Sequence, residues 1–266
     1  MKYVVGNLKM NLISQAELEG YFNAFKNEIK GKKFSARGGS ALGGKDTQII
    51  VCPPFVHLKD FVREIKSKKV SIGAQNVFCE RYGSYTGEIS PVMLKNIGAE
   101  YSIVGHSERR KYFRETDEIV NLKMKSLIKE RLTAIFCFGE TLEERGMSLT
   151  AKIITDQIHK GLEGITPSGL EKIIFTYEPV WAVGTDSIPT SNGIMEIKIL
   201  IRKVLAGKYG VKNSQKAVIL YGGSVREKFL KQVCLDPGMD GVLIGRESLD
   251  LHEFIKIAEI LNKTNV

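Results

Sequence analysis

The sequence has few cysteines, and those few lie far apart. Cys52, Cys79, Cys137 and Cys234 show no Cys-x-x-Cys spacing, so they predict neither a zinc site nor a disulfide framework. No apolar run approaches the roughly 18 residues of a membrane helix, and a first predicted strand that begins near residue 2 leaves no room for a signal peptide. We therefore expect a cytoplasmic protein that binds neither a metal nor a membrane.

Concentrated positive charge is also missing. The formal net charge is +9, which suits an anionic partner, but Lys and Arg are scattered among acidic residues and form only short runs such as Arg109-Arg110. Without a basic arm or a basic stripe interleaved with aromatics, no nucleic-acid partner is expected. The surplus charge is typical of a solvated surface that steers a small anionic substrate.

What the chain does contain is a set of eight short apolar runs, each followed by a segment with a helical pattern. Because the runs are nearly continuous rather than alternating, they predict strands buried on both faces, as in a parallel sheet covered by helices. In a chain of 266 residues with 43% hydrophobic content, they favour an α/β fold with one domain over residues 1–266, a closed (β/α)8 TIM barrel. The runs are Tyr3–Gly6, Gln48–Cys52, Val70–Ala74, Ser102–Gly105, Thr133–Phe138, Ile173–Tyr177, Ala217–Tyr221 and Gly241–Gly245.

An open, doubly wound sheet is the alternative architecture. It is disfavoured because Gly6-Asn7-Leu8-Lys9 follows the first run, where a dinucleotide-binding sheet has Gly-x-Gly-x-x-Gly. Between the runs, Glu17–Lys30 carries one apolar stripe and precedes Gly31, and Thr116 is a predicted N-cap. Residues 36–46 contain four glycines and no apolar period, so we predict a surface insertion on the barrel end away from the chemistry.

The polar residues that follow the runs are the candidates for function, because a barrel of this kind has its active site at the carboxyl ends of its strands. They are Asn7 and Lys9 after the first run, His106, Ser107 and Glu108 after the fourth, Cys137 and Glu140 at the fifth, and Glu178 after the sixth. Two glycine-rich turns, Gly222-Gly223-Ser224 and Gly245-Arg246, follow the last two runs and are typical of a phosphate site. A carboxylate, an imidazole and a lysine around an anion site indicate proton abstraction beside a carbonyl.

The stretch Tyr177–Thr185 combines a candidate base with a candidate lid. Glu178 stands where a buried strand ends, Pro179 then breaks regular structure, and Gly184 supplies a flexible far end. Each feature has a structural alternative: Glu178 as a solvated strand end, His106 as a buried structural residue, the glycine-rich turns as ordinary turns. Because all of them fall at one predicted rim, the functional interpretation is favoured.

Seven motifs, in order along the chain, resemble the triosephosphate isomerase family over nearly the full length. They are Gly6-Asn7-Leu8-Lys9-Met10-Asn11, Gly73-Ala74-Gln75-Asn76-Val77, Tyr85-Thr86-Gly87-Glu88, Val104 through Arg110, Cys137-Phe138-Gly139-Glu140-Thr141, Tyr177 through Thr185, and Tyr221-Gly222-Gly223-Ser224-Val225. The resemblance implies an isomerase that interconverts dihydroxyacetone phosphate and D-glyceraldehyde 3-phosphate through an enediolate. It implies no cofactor and no metal, and a place in glycolysis and gluconeogenesis.

The resemblance also implies roles for individual residues. Glu178 matches the base and His106 the electrophile, a neutral imidazole that is an established property of these enzymes and not a deduction from this sequence. Asn7 and Lys9 match groups that contact substrate oxygens, and Glu108 is implied to support Lys9. The matched phosphate contacts are Gly184, Ser224, Gly245 and Arg246, and the matched supporting residues are Ser107, Glu108, Cys137, Tyr221 and Gly223.

A homodimer is a further implication. A loop over Asn76–Glu88 matches one that reaches into the partner subunit, with Thr86 and Glu88 at the dimer contact. The alternative is an ordinary solvent loop, but the aromatic residues Phe78, Tyr82 and Tyr85 argue against leaving it in water.

Four departures from the family stand out. Leu8 replaces a usual Trp as a change on the core side, Asp186 follows the lid where Gly is common, and residues 36–46 are extra. Arg246 replaces the second Gly of a usual pair, so its amide binds phosphate only if the backbone there suits a non-glycine residue. None of these removes a predicted catalytic group.

Two rival functions remain open at this point. One is another phosphosugar enzyme on the same barrel, for example an aldolase that forms a Schiff base on Lys9, which borohydride trapping would detect. The other is a catalytically silent barrel that serves as a binding or scaffold protein. The presence of Asn7, Lys9, His106 and Glu178 together argues against the silent barrel, because binding alone has no need of all four.

Overall fold

A computed structural model describes residues 1–32, 34, 47–67, 69–185 and 187–264. The strands are β1 (Lys2–Asn7), β2 (Thr47–Cys52), β3 (Val70–Ala74), β4 (Tyr101–Val104), β5 (Thr133–Phe138), β6 (Ile173–Tyr177), β7 (Val218–Tyr221) and β8 (Gly241–Ile244). The helices are α1 (Gln15–Ile29), α2 (Leu58–Glu64), α3 (Pro91–Ile97), α4 (Ser107–Phe113), α5 (Asp117–Lys129), α6 (Leu142–Gly146), α7 (Thr150–Gly161), α8 (Pro167–Leu170), α9 (Ser191–Tyr209), α10 (Val211–Lys216) and α11 (Leu251–Lys263). The predicted insertion at 36–46 and the Asp186 departure lie outside the described residues, and the assignment of 1–266 to one domain stays a prediction.

The eight strands pair in sequence order into a closed barrel. All neighbours run parallel, and β1 completes the ring by pairing with β8, with Tyr3 opposite Gly241. A Cβ at Gly241 would lie 1.9 Å from the Tyr3 carbonyl oxygen, so this junction requires glycine. The (β/α)8 prediction is confirmed and the open sheet is wrong, and each strand begins and ends within one residue of its predicted run.

Every strand except β3 contributes to two hydrophobic cores, and the apolar side chains of β3 belong to the outer one. Successive side chains of a strand point to opposite faces, so Val5 lies in the barrel interior with Ile50, Ile135 and Leu243, whereas Val4 packs under the helices. Burial on both faces is the reason that the sequence shows continuous apolar runs. The same alternation directs a polar residue two positions beyond an interior residue into the mouth of the barrel, as for Asn7 after Val5.

The predicted helical signals are confirmed, with one shift. The stripe over Glu17–Lys30 forms α1 and buries Leu18, Tyr21, Phe22 and Phe25. The helix begins two residues earlier than predicted because the Ser14 side chain accepts a hydrogen bond from the Glu17 amide as an N-cap. Thr116 caps α5 in the same way. Within the described part of the chain, no helix is long and apolar enough to cross a membrane.

Candidate active site

The carboxyl ends of the strands surround a cleft of about 230 Å³. Its walls contain most of the predicted site residues, namely Asn7, Lys9, His106, Glu178, Gly184, Gly223, Ser224, Gly245 and Arg246. Lining residues outside the predicted contact set are Val183, Thr185, Gly222, Arg226, Leu243 and Glu247. Arg226 lies three residues beyond Gly223 and Glu247 two residues beyond Gly245. This proximity to the predicted phosphate turns is the signal that could have found them.

Glu178 is buried at the rim, directly after β6. The residue is 1% exposed. Its backbone amide donates to the Phe138 carbonyl at 2.8 Å, which holds the end of β6 against β5. The carboxylate accepts from the Ser107 amide at 2.9 Å and from the Ser107 hydroxyl at 3.0 Å. A buried carboxylate needs such donors, and they hold its oxygens in a defined position.

His106 presents one ring nitrogen to Glu178 and the other to the backbone. Nδ1 accepts a hydrogen bond from the Glu108 amide at 3.3 Å, where His106 caps α4. Because Nδ1 uses its lone pair as an acceptor, the neutral ring carries its proton on Nε2. Nε2 lies 3.0 Å from Glu178 Oε1, so an N–H donor and a carboxylate stand side by side in the cleft.

Gly105 sets the position of His106. Its φ is +72°, a left-handed conformation that favours glycine. The Gly105 amide donates to Glu115 Oε1 at 2.8 Å, and Arg110 donates to the Gly105 carbonyl at 2.7 Å. Glu115 is buried and also accepts from Arg109 at 2.8 Å and Lys123 at 2.6 Å. Burial alone would raise the pKa of Glu115, but the Lys123 charge and these hydrogen bonds outweigh it and lower the pKa.

Lys9 adopts a strained backbone that its neighbours hold in place. Its φ is +52°, which costs about 1–3 kcal/mol for a non-glycine residue. Asn7 Oδ1 accepts from the Lys9 amide at 3.1 Å, and Gln75 donates to the Lys9 carbonyl at 2.9 Å. The ammonium donates to Glu108 Oε1 at 2.6 Å, and a Cβ at Gly245 would lie 3.2 Å from Lys9 Cε. Gln75 stands inside a family motif, yet its contact was not predicted.

Glu140 anchors the first half of the predicted lid, residues 179–185. A 3₁₀ helix spans Val180–Ala182, and the Trp181 indole donates to Glu140 Oε1 at 2.9 Å. The Tyr177 hydroxyl lies 3.1 Å from the same oxygen, and the Arg145 guanidinium covers the Trp181 ring at 4.5 Å. Glu140 thus joins the strand β6 to the lid that follows it.

The second half of the lid contacts the turn after β7. Ser224 Oγ lies 2.8 Å from the Ala182 carbonyl and 2.9 Å from the Thr185 carbonyl. Gly184 has a φ of +69°, so the chain reverses there at a residue without a side chain. The lid backbone and the Ser224 turn therefore face each other across one end of the cleft.

Two of the predicted supporting residues lie beneath the cleft and do not line it. Cys137 is in the barrel interior, where burial and then the Glu178 charge raise the pKa of its thiol. Tyr221 is buried, and its hydroxyl has no hydrogen-bond partner among the described residues. A Cβ at Gly223 would lie 2.3 Å from that hydroxyl oxygen, so Tyr221 requires glycine at this position of the turn.

Two of the departures from the family, Leu8 and Arg246, and the predicted dimer loop lie in different parts of the fold. Leu8 is fully buried between the barrel and its helices. Arg246 is the first residue of a 3₁₀ helix, Arg246–Ser248, whose backbone angles suit non-glycine residues. Thr86 and Glu88 are exposed and stand outside the cleft lining of this chain.

Across the described ranges, no group of three or more His, Cys, Asp or Glu could hold a metal ion.

These observations define a (β/α)8-barrel protein whose carboxyl-end cleft holds a carboxylate, an imidazole N–H, an ammonium and two glycine-rich turns. The family model for triosephosphate isomerase matches residues 2–261. The triosephosphate isomerase of Dictyoglomus turgidum is 40% identical over 253 residues, covering 95% of this chain and 96% of that protein. The enzymes of that name from Dictyoglomus thermophilum (43% over 217 residues, 82% and 87% covered) and Alkaliphilus oremlandii (39% over 254 residues, 96% and 97% covered) are similar too. The chain belongs to the triosephosphate isomerase family.

Proposed function

We propose that this protein interconverts dihydroxyacetone phosphate and D-glyceraldehyde 3-phosphate through an enediolate, as a step of glycolysis and gluconeogenesis. The observation that carries the proposal is the placement of the Glu178 carboxylate 3.0 Å from His106 Nε2, in a cleft that Lys9 also lines. An aldose–ketose isomerisation needs a base that takes a proton from carbon, and hydrogen-bond donors that stabilise the negative charge on the substrate oxygens. Glu178 can serve as the base, and His106 and Lys9 as the donors. The names of the relatives support the same substrate.

The chemistry follows from these positions. Glu178 takes the proton from C1 of dihydroxyacetone phosphate, and the electron pair of that C–H bond moves toward the C2 carbonyl. The His106 N–H and the Lys9 ammonium stabilise the negative charge that develops on the oxygens. The proton of the C1 hydroxyl passes to the C2 oxygen, and return of the proton from Glu178 to C2 then gives the aldehyde. To reach carbon, the carboxylate has to exchange at least one of its hydrogen bonds from Ser107.

The phosphate group fits the other end of the cleft. Backbone amides of Gly184, Gly245 and Arg246, with Ser224, would receive it there, because glycine-rich turns expose their N–H groups to an anion. A lid closed over this end excludes water, which protects an enediolate from losing its phosphate. The Arg246 amide can bind phosphate only if the backbone there suits a non-glycine residue. The position of Arg246 in a 3₁₀ helix meets that condition.

The test is an isomerase assay in both directions on the parent protein and on Glu178→Gln. The variant keeps the size of the side chain but loses the base, so the rate should fall by about 10²–10⁴ at an unchanged melting temperature. Glu143→Gln, an exposed position on α6, is the matched control and should retain full activity. Equal, negligible rates in parent and Glu178→Gln would exclude an isomerase and favour the silent barrel.

A homodimer is part of the proposal. Met10, Ile13 and Tyr82 are 90%, 85% and 85% exposed in the loops after β1 and β3, more apolar surface than isolated loops normally leave in water. A second copy of the chain would cover it. Sedimentation of Tyr82→Asp should show loss of dimer, whereas Val211→Asp, at an apolar residue of α10 that is 63% exposed, should not. A monomeric parent protein at micromolar concentration would contradict the dimer.

A further inference from the structure

Arg246 stands out among the cations of the cleft. Its side chain is exposed, it lines the cleft, and it follows β8 at the first position of a 3₁₀ helix. Within the described ranges, its guanidinium has no hydrogen bond and no ion pair. A flexible cation without a protein partner can bind a ligand and break no existing contact.

The other cations that line the cleft already have carboxylate partners. Lys9 Nζ lies 2.6 Å from Glu108 Oε1, and Arg226 Nε lies 3.1 Å from Glu247 Oε1. Glu178 contributes a further negative charge to the same walls. Among the cations that line the cleft, Arg246 is therefore the one without a carboxylate partner among the described residues, and it remains available for a phosphate dianion.

Arg246 is also located at the correct end of the cleft. The Arg226–Glu247 ion pair connects the turn after β7 with the turn after β8. Ser224 and Gly245, two of the predicted phosphate contacts, lie in those turns. Arg246 immediately follows Gly245, so its side chain starts beside the junction of the two turns and not beside Glu178.

We propose that the Arg246 guanidinium binds the phosphate dianion of the substrate, in addition to the backbone amides of the turns. The proposal rests on the isomerase function for the identity of the substrate. A guanidinium presents paired N–H donors that match two phosphate oxygens at once. Arg246 is thus a specificity-determining residue that favours doubly charged phosphates over neutral or singly charged sugars.

Calorimetric titration with inorganic phosphate tests the contact independently of turnover. Arg246→Ala should bind phosphate about tenfold more weakly at low ionic strength, as expected for loss of a partly exposed, charge-assisted hydrogen bond. Its affinity should also fall less steeply with added salt. Arg246→Lys, which keeps the charge, should recover part of the loss. Lys256→Gln removes an exposed charge on α11 that pairs with Glu227 at 2.7 Å, and it should bind like the parent protein.

The same variants can be assayed with triose phosphate. Arg246→Ala should raise KM about tenfold and change kcat by a much smaller factor, because the contact exists before and during the chemical step. Phosphate affinity of Arg246→Ala equal to that of the parent at low ionic strength would overturn the proposal. Failure of the isomerase function would appear differently, as absent turnover in the parent protein while phosphate binding still depends on Arg246.

Discussion

The two ends of the cleft are built differently. The reaction side, defined by Asn7, Lys9, His106 and Glu178, consists of side chains that each have a protein partner within 3.3 Å. The proposed anion side, defined by Gly184, Ser224, Gly245 and Arg246, consists of glycine-rich turns, lid backbone and a guanidinium without a partner among the described residues. Burial follows the same division, since Glu178 and His106 are 1% and 5% exposed whereas Arg246 is exposed.

The difference reflects two requirements. Proton transfer needs reacting groups in a fixed geometry, because a misplacement of about 1 Å can cost 10²-fold in rate. Binding an anion needs donors that are not already used, because a ligand gains nothing from groups that must first give up a partner. The reaction side is therefore satisfied internally. On the anion side, Ser224 donates to the lid, but the Arg246 guanidinium has no partner among the described residues. The predictions below test this division, in order of expected effect.

Removing the Lys9 charge should produce the largest effect. Lys9→Met keeps the length of the side chain but removes the cation beside the developing oxyanion, so kcat/KM should fall by about 10²–10³. Lys26→Met is the matched control, because Lys26 makes a similar ion pair with Glu64 at 2.9 Å on the outer surface. Full activity of Lys9→Met would mean that the reaction side does not include this lysine.

Replacing Glu115 should destabilise the turn at Gly105, which positions His106. Glu115→Gln leaves the Lys123 charge buried without its carboxylate partner, which should lower the free energy of unfolding by about 3 kcal/mol at neutral pH. The folded-state pKa of Glu115 is lowered. Its contribution is therefore fully present above its ordinary value of 4.5 and is lost as the pH falls through the lower folded-state value.

Denaturant unfolding of parent and variant across this acid range checks the prediction. The stability difference should shrink as the pH falls, because a protonated glutamic acid resembles glutamine. Glu171→Gln, at an exposed position, should give no such trend. A difference that stays constant through the acid range would show that the Glu115 charge does not stabilise the fold.

The smallest effect is expected beneath the anion side. The buried Tyr221 hydroxyl lacks a partner among the described residues, so Tyr221→Phe should leave the free energy of unfolding unchanged or raise it. Tyr209→Phe is the comparison, because the Tyr209 hydroxyl donates to the Ile165 carbonyl at 3.0 Å and its loss should cost about 1 kcal/mol. Equal losses in thermal melts of the two variants would show that Tyr221 does have a partner in solution.

Much of this arrangement could be predicted from local sequence. The ends of the strands agree with the apolar runs within one residue, because two-sided burial leaves a continuous apolar signature. The strand-end rule then placed Asn7, Lys9, His106 and Glu178 at one rim. The predicted roles of these residues, the cytoplasmic location and the dimer remain proposals.

Contacts between distant parts of the chain could not be predicted from local pattern, and the Lys9–Glu108 contact was implied only by the resemblance. Gln75 holds the Lys9 backbone, and Glu115 holds Gly105, but nothing in their neighbouring residues indicates either partner. The Arg226–Glu247 pair likewise joins two turns whose adjacency follows only from the pairing of β7 with β8. Such contacts depend on side-chain positions that the closed barrel defines.

The sequence by itself determined the period of burial, the number of strands and the type of residue at the end of each strand. Only the tertiary structure decided which polar groups have partners. Hydrophobic periodicity depends only on whether each successive residue faces water or the core. Hydrogen bonds and ion pairs depend instead on distances of about 3 Å between residues remote in sequence. For this reason Lys9 and Arg246 look alike by local pattern alone, yet Lys9 is bound to Glu108 whereas the Arg246 guanidinium has no partner among the described residues.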